Sequence, residues 1–263
     1  MFMTDDCSFL NLQKSLVFSF IPYCFPVVKF LKSATLKSGW TTKKGSQITC
    51  VLSGRSNVFL VTCTDLNILV DAGPEFNRGK LFKSLKKLKA NHIDYLVLTH
   101  SHFDHVNLVK PLLEKYDPQV VMSAKEIDYY KFTCRNLTPI ENDDSLKLGN
   151  TDIKCLLTPG HTAGSTCFLL SDSLFTGDTI FTEGCGSCNT DGGSPEEIYS
   201  SIQMIKNTVP PDMFIYPGHS YGKTPGHSLN HLLKENIYFH IDKLEHFISF
   251  RMRKNQNNIL NFY

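Results

Sequence analysis

The feature that most constrains this chain is a cluster of metal-binding residue types directly after a short apolar run. Residues 95–98 read Tyr-Leu-Val-Leu, which is typical of a buried strand, and the next seven residues include His100, His102, Asp104 and His105. A helical spacing of leucines resumes after the cluster. The cluster therefore lies in a loop between a strand and a helix, where several side chains can converge on one point.

The spacing of these donors indicates two metal sites. Side chains alternate with a period of two in an extended segment, so His100, His102 and Asp104 point the same way. His105 would face a second metal if the chain turns at that point. Imidazole and carboxylate groups suit zinc and its first-row neighbours.

A loop of this kind leaves each metal short of ligands, so further donors are expected at later strand ends. His161, Asp178 and His219 each follow an apolar, strand-like run and come directly after a glycine, which lets the backbone approach a crowded centre. Each of them alone is equally well explained as a loop residue satisfied by hydrogen bonds. Their occurrence together with the first cluster favours metal binding.

The rest of the sequence contains both strand and helix patterns. Residues 76–90 have the periodicity of an amphipathic helix whose lysines form the solvated face. A second helix is expected from Ser194, where Pro195 occupies the first turn and Glu197 completes a capping box. The predicted strands cover residues 48–52, 58–63, 67–70, 119–122, 153–157, 166–170, 173–176 and 213–216.

Composition narrows the class of protein. The chain has 263 residues, 41% hydrophobic and 20% charged, which is ordinary for a soluble globular protein. Its net charge of +2 provides no dense basic face, so nucleic acid is not an expected partner. Nine irregularly spaced cysteines do not form a disulfide framework, and they indicate a reducing, cytoplasmic setting.

The first 45 residues differ from the remainder. Residues 16–31 are apolar, but Pro22 and Pro26 interrupt them, and the run is shorter than the roughly 20 residues of a spanning helix. The acidic start also fits a signal peptide poorly. We therefore predict an N-terminal extension at residues 1–45, packed on the surface or partly disordered, a single domain at residues 46–263, and no stable membrane association.

The combined motif resembles that of the metallo-β-lactamase superfamily, His-x-His-x-Asp-His followed by a His, an Asp or Cys, and a final His. The resemblance implies an α/β fold, an αβ/βα sandwich of two mixed β-sheets flanked by helices. It implies that Asp178 bridges two zinc ions and that Asp71 supports the metal-binding loop from behind. It assigns His100, His102 and His161 to one ion, and Asp104, His105 and His219 to the other.

Asp178 stands where β-lactam-cleaving members commonly have cysteine, so the resemblance favours the glyoxalase II-like branch. The metal pair would lower the pKa of a bridging water from ~15.7 towards 7 and polarise a carbonyl. The expected reaction is hydrolysis of a thioester, with Asp104 and Asp178 as catalytic candidates. Tyr221, close to His219 in sequence, either reaches the reacting carbonyl or packs. Iron and manganese are alternatives to zinc, because first-row ions compete for such sites.

Other segments resemble a narrower group, the zinc-dependent hydrolases encoded with bacterial polyketide synthases. They are residues 53–57, 185–194, 217–223 and 249–254. This resemblance implies that acyl thioesters on an acyl carrier protein are hydrolysed. The basic tail of Arg251, Arg253 and Lys254 either meets the carrier's acidic surface or phosphate, or is a solvated terminus.

Three rival functions remain open at this stage: a hydroxyacylglutathione hydrolase, a mononuclear iron persulfide dioxygenase, and a regulatory module on the same fold. The spacing of Cys185 and Cys188 fits a metal or redox pair, but a loop that lines the pocket is favoured because no second such pair exists. No catalytic role is expected for the histidines outside the motifs, His92, His227, His231, His240 and His246.

Overall fold

A computed structural model describes residues 39–148 and 151–254, which form two β-sheets with helices outside them. The first sheet has seven strands in chain order: β1 Gly39–Thr41, β2 Gln47–Leu52, β3 Val58–Thr62, β4 Asn67–Val70, β5 Tyr95–Val97, β6 Gln119–Ser123 and β7 Leu137–Ile140. The second sheet has six: β8 Ser145–Leu148, β9 Thr151–Leu157, β10 Thr166–Leu170, β11 Ser173–Gly177, β12 Phe214–Pro217 and β13 His227–Ser228.

Both sheets are mixed. In the first, the strands pair antiparallel from β1 to β4 and parallel from β4 to β7. In the second, only β11 and β12 pair in parallel. The helices are α1 Arg78–Lys87, α2 Phe103–Val106, α3 Val109–Tyr116, α4 Ala124–Tyr130, α5 Pro195–Thr208, α6 Leu229–Glu235 and α7 Leu244–Arg251, with 3-10 turns at Glu75–Asn77 and Ile237–His240. The expected sandwich is confirmed.

The core follows from strand alternation. On β3, Phe59 and Val61 face the second sheet, whereas Val58 and Leu60 face the outer helices. The inner layer joins both sheets through aromatic contacts, with the Phe59 ring 5.6 Å from Phe175 and 5.5 Å from Tyr216. Because these strands are buried on both faces, they read in the sequence as continuous apolar runs.

The two predicted helices form with small changes at their ends. The amphipathic segment begins as a 3-10 turn and continues as α1, which buries Leu81 and Leu85. Ser194 caps α5 as expected, and its hydroxyl accepts a 3.1 Å hydrogen bond from the Glu197 backbone N–H. The sequence patterns did not indicate β1, β7, β8 or β13, which are short strands.

The boundary at residue 46 needs correction. Gly39–Thr41 forms β1 and pairs with β2, so residues 39–45 belong to the domain because their backbone groups complete its sheet. The apolar stretch at 16–31 lies outside the described residues. None of the helices found in residues 39–148 and 151–254 could span a membrane.

Candidate metal centre

The predicted metal ligands lie where strands end. β5 leads directly into the loop that carries His100, and His102 is the residue before α2. The short helix α2 turns the chain so that Asp104 and His105 separate from the first two histidines. His161 follows β9, while Asp178 and His219 follow the paired strands β11 and β12. The turn required for a second site is therefore present.

All seven predicted donors come together at this edge of the sandwich. They form three overlapping groups in which the ligand atoms lie within 4.8 Å of one another. The groups are His100, His102 and His161; His100, His105 and Asp178; and Asp104, His105 and His219. No other histidine in the described ranges joins a group of this kind.

Asp178 lies between the two histidine sets. Its Oδ2 is 3.1 Å from His219 Nε2 and 3.5 Å from His161 Nε2, and its Oδ1 is 3.5 Å from His105 Nε2. Asp104 Oδ2 is 3.5 Å from His219 Nε2. The Asp178 carboxylate thus lies next to donors of both sets, which is the arrangement expected of a bridging ligand.

Two atoms test whether the centre fits a metal ion. His100 Nε2 and Asp178 Oδ1 are buried and have no hydrogen-bond partner among the described residues. A buried polar atom without a partner costs about 1–3 kcal/mol, so such atoms call for a ligand. Because both belong to the overlapping donor groups, the residues fit divalent cations held by nitrogen and oxygen.

Burial keeps one histidine set neutral. It lowers the pKa of His100 well below the ordinary value, lowers that of His102, and lowers that of His161 to about 4. Their imidazoles therefore carry a free lone pair at neutral pH, which is the form that binds a metal.

The other set faces carboxylates. Burial would lower the pKa of His105, but the charges of Asp71 and Asp178 outweigh it and raise the pKa to about 9. Burial is likewise outweighed by Asp178 at His219, whose pKa is raised. Burial would raise the pKa of Asp178, yet His219 and His105 hold it well below its usual range. The carboxylates that stabilise the protonated forms of His105 and His219 would also attract a metal cation.

Asp71 supports the loop as the family resemblance implies. Its Oδ2 lies 2.8 Å from His105 Nδ1, and its Oδ1 accepts a 2.8 Å hydrogen bond from the Thr99 backbone N–H. The Thr99 hydroxyl in turn lies 3.0 Å from His100 Nδ1. These contacts fix the orientation of one histidine from each set, with the metal-facing nitrogens left available.

Glu126 is a site residue that sequence reasoning missed. It is fully buried, and its Oε1 accepts 2.7 Å hydrogen bonds from the backbone N–H and hydroxyl of Ser101. Its Oε2 accepts hydrogen bonds from the Thr162 hydroxyl at 2.9 Å and the Gly164 N–H at 2.8 Å. The only sequence signal is Ser-x-x-Glu at residues 123–126, which predicts a capping box with an exposed carboxylate.

The loop at residues 185–188 orients His161 from the other side. His161 Nδ1 lies 2.7 Å from the carbonyl oxygen of Ser187. Arg251 is buried on α7, and its Nε donates a 2.8 Å hydrogen bond to the carbonyl of Gly186. The expectation of a wholly solvated or carrier-facing basic tail is therefore wrong for Arg251, because its guanidinium is held inside the domain; Arg253 and Lys254 are exposed.

Cys185 and Cys188 are free, buried thiols packed among apolar side chains. Burial raises the pKa of both, that of Cys188 to about 11, so both remain protonated at neutral pH. Neither joins a metal-binding group in the described part of the chain. Cys185 lines a cavity beside the centre, in agreement with the expected loop that lines the pocket.

A wide opening, here called the metal cleft, gives access to the centre. It has a volume of about 860 Å³ and exposes His102, Asp104, His161, Asp178 and His219. Tyr221 lies on its wall, with its ring stacked 5.3 Å from the His219 ring and edge-on to Phe181 at 4.8 Å. Burial and the nearby Asp178 raise the pKa of Tyr221, so its phenol keeps its proton.

Residues 53–219 match the family model described as "Metallo-beta-lactamase superfamily". This match covers more than half of the chain, and the fold and donor arrangement agree with it. The chain belongs to the metallo-β-lactamase superfamily.

The sequences of two relatives indicate the enzyme class within this superfamily. The chain is 54% identical over 195 residues to "Probable polyketide biosynthesis zinc-dependent hydrolase PksB" of Bacillus subtilis (strain 168), covering 74% of this chain and 85% of the relative. It is 33% identical over 157 residues to the hydroxyacylglutathione hydrolase of Buchnera aphidicola subsp. Baizongia pistaciae (strain Bp), covering 60% and 59%. The expectation of an enzyme of the metal-dependent hydrolase class is confirmed.

The fold is also that of solved structures. The crystal structure of ETHE1 from Myxococcus xanthus superposes with a TM-score of 0.69 at 24% identity, and the match covers 80% of this chain and 91% of that one. At this level of identity the likeness shows the shared fold alone.

Proposed function

We propose that this protein is a zinc-dependent hydrolase that cleaves acyl thioesters carried on an acyl carrier protein during polyketide biosynthesis. The observation that carries the proposal is Asp178, which contacts His105, His161 and His219 at the floor of an open cleft. The similarity to the probable polyketide biosynthesis zinc-dependent hydrolase of Bacillus subtilis supports zinc-dependent hydrolysis in that pathway.

Two zinc ions would be held by His100, His102 and His161 on one side and by Asp104, His105 and His219 on the other, with Asp178 between them. When bound, such ions activate a water molecule at neutral pH and polarise the substrate carbonyl. Because this supplies the nucleophile, no serine or cysteine attack is required. The buried, protonated thiols of Cys185 and Cys188 agree with that assignment.

The side chains at the cleft have distinct tasks. Asp104 is partly exposed at the metal cleft; it would hold one ion through one carboxylate oxygen and accept a proton from the attacking water through the other, and that proton would then pass to the departing thiolate. The phenol of Tyr221 retains its proton and donates a hydrogen bond to the carbonyl oxygen of the substrate or to the departing thiol. Glu126 and Asp71 hold the ligand loops without touching substrate.

The test presents one acyl group on three thiols: a carrier protein, coenzyme A and glutathione. We expect the highest kcat/KM with the carrier thioester and loss of hydrolysis in Asp178→Ala, which removes the carboxylate shared by both donor sets. Asp65→Ala is the control, because Asp65 is exposed between β3 and β4 and lies outside the donor groups. A preference for glutathione would favour the hydroxyacylglutathione hydrolase class, and oxygen uptake with one bound iron would favour the dioxygenase class.

A further inference from the structure

A second cavity, here called the side chamber, adjoins the metal cleft. It has a volume of about 370 Å³. Its lining includes His161, Asp178, Ser187 and Tyr221, all of which also line the metal cleft. A reacting group placed against these shared residues therefore has access to two separate spaces.

The two spaces differ in chemistry. The side chamber presents the rings of Phe181, Tyr238 and Phe250 and the aliphatic side chain of Ile237. Phe181 and Tyr238 are buried, whereas Ile237 is 50% exposed. Polar residues also line the chamber: Glu183, Glu235 and Arg253 are exposed, and the buried side chains of Asn236 and Arg251 donate hydrogen bonds to the backbone carbonyls of Phe181 and Gly186.

The metal cleft is wider and more polar. Outside the donor cluster its lining includes Arg55, Thr190, Ser220 and the glycines Gly54 and Gly222. Arg55 lies over the exposed ring of Phe103, 5.9 Å from its centroid, at this entrance. An entrance of this volume, with Arg55 and two glycines in its lining, suits a polar arm attached to a large partner.

A thioester carbonyl has two substituents, the acyl chain and the thiol arm, which must leave it in different directions. We propose that the side chamber holds the acyl chain, while the thiol arm enters through the metal cleft and its carrier stays outside. This assignment rests on the proposed function. Apolar acyl atoms gain by leaving water for the chamber, and the larger volume of the metal cleft leaves room for the thiol arm.

The chamber also limits the length of the acyl chain. Phe250 packs 5.5 Å from the Tyr238 ring, and the Arg253 guanidinium stacks on Phe250 at 4.1 Å. Arg253 Nη1 also donates a 2.6 Å hydrogen bond to the Phe250 carbonyl. These contacts fix the Phe250 ring in the wall, so its size sets the space available to the acyl chain.

The experiment measures kcat/KM for straight-chain acyl groups from acetyl to decanoyl on one pantetheine arm, using the zinc-loaded full chain. Phe250→Ala should shift the preference towards longer chains. Phe250→Trp should lower kcat/KM for the longest accepted chain by about tenfold or more and that for acetyl by less than about threefold. Phe76→Ala is the matched control, because Phe76 is 64% exposed and lines neither cavity.

Two further measurements distinguish failure of the chamber assignment from failure of the proposed function. Phe103→Ala, in the metal cleft, should alter the discrimination between thiols and leave the chain-length profile unchanged. A chain-length profile that follows Phe103 and ignores Phe250 overturns the chamber assignment and leaves the proposed function intact. If no thioester is hydrolysed, the proposed function fails. Calorimetric binding of acyl-pantetheine thioethers to the same variants then shows whether the side chamber holds the acyl chain. Phe250→Leu serves if the alanine variant does not fold.

Discussion

Glu126 accepts a 2.8 Å hydrogen bond from the backbone N–H of Gly164, which joins the first metal-binding loop to the loop that carries His161. The same carboxylate binds Ser101, between His100 and His102. Because the three histidines of one donor set come from these two loops, this buried side chain helps to set the distances between them.

Glu126→Gln should therefore weaken zinc binding by about 10–100-fold, since a backbone N–H faces each carboxylate oxygen and the amide nitrogen of glutamine would meet one of them. Chelator competition gives the affinity, and the absorption spectrum of the cobalt-substituted protein reports ligand geometry, which a general loss of stability would not change. Glu114→Gln, at an exposed glutamate of α3, is the control. An unchanged cobalt spectrum and zinc affinity would show that Glu126 has no positioning role.

Asp71 allows a cleaner substitution than most ligand-supporting residues. Its φ of 61° lies in the left-handed region, which asparagine tolerates and alanine does not. Asp71→Asn should keep the backbone and remove the charge that faces His105. We expect zinc affinity to fall by about 10–100-fold with little change in the far-ultraviolet circular dichroism. Full zinc affinity in this variant would contradict the role given to Asp71.

Zinc affinity should depend on pH because the apoprotein holds a proton that the cation must displace. Burial lowers the pKa of His105, but Asp71 and Asp178 outweigh it and raise the pKa from 6.5 to about 9. As the pH falls below 9, the Kd for zinc should therefore rise by about tenfold for each pH unit, because binding displaces one proton from His105. In Asp71→Asn this dependence should begin at a lower pH. A Kd constant from pH 9 to pH 7 would contradict this account.

Gly186 is a position where steric space decides the outcome. A Cβ added there would lie 2.1 Å from the Asp178 carbonyl oxygen and 2.7 Å from His161 Nδ1. Gly186→Ala should therefore displace two proposed ligands and lower both zinc content and kcat/KM. Gly79→Ala, in α1, meets nothing within 4 Å and should raise the free energy of unfolding by about 0.5 kcal/mol. An alanine at 186 with unchanged zinc content would show that the loop adapts.

Sequence periodicity located most of the fold because the buried strands are long enough to read. Residues 166–170 match β10 in full, and Ser194 marks the start of α5. β1 and β8 were missed since each is a short strand at the edge of its sheet, where local composition carries little signal. Local patterns also do not reveal that β1 completes a sheet with β2, because that pairing is a tertiary contact.

The donor cluster was predictable since its spacing alone restricts the chemistry, and each later donor follows a strand beside glycine. Glu126 was not, because its role depends on partners 25 to 38 residues away in the chain. Arg251 was misjudged for the same reason: a basic residue near the end of the chain is usually solvated, yet here its Nε reaches Gly186, 65 residues earlier.

In the proposed function, thioester hydrolysis depends on two metal ions whose ligand sets share Asp178. The most direct measurement titrates metal-free protein with zinc while following hydrolysis of an acyl thioester on a carrier protein, with bound metal measured in the same samples. We expect activity to rise until about two zinc ions are bound per chain, and Asp178→Ala to reach neither that stoichiometry nor that activity. Full activity at one bound metal, or two bound zinc ions without hydrolysis, would contradict the account.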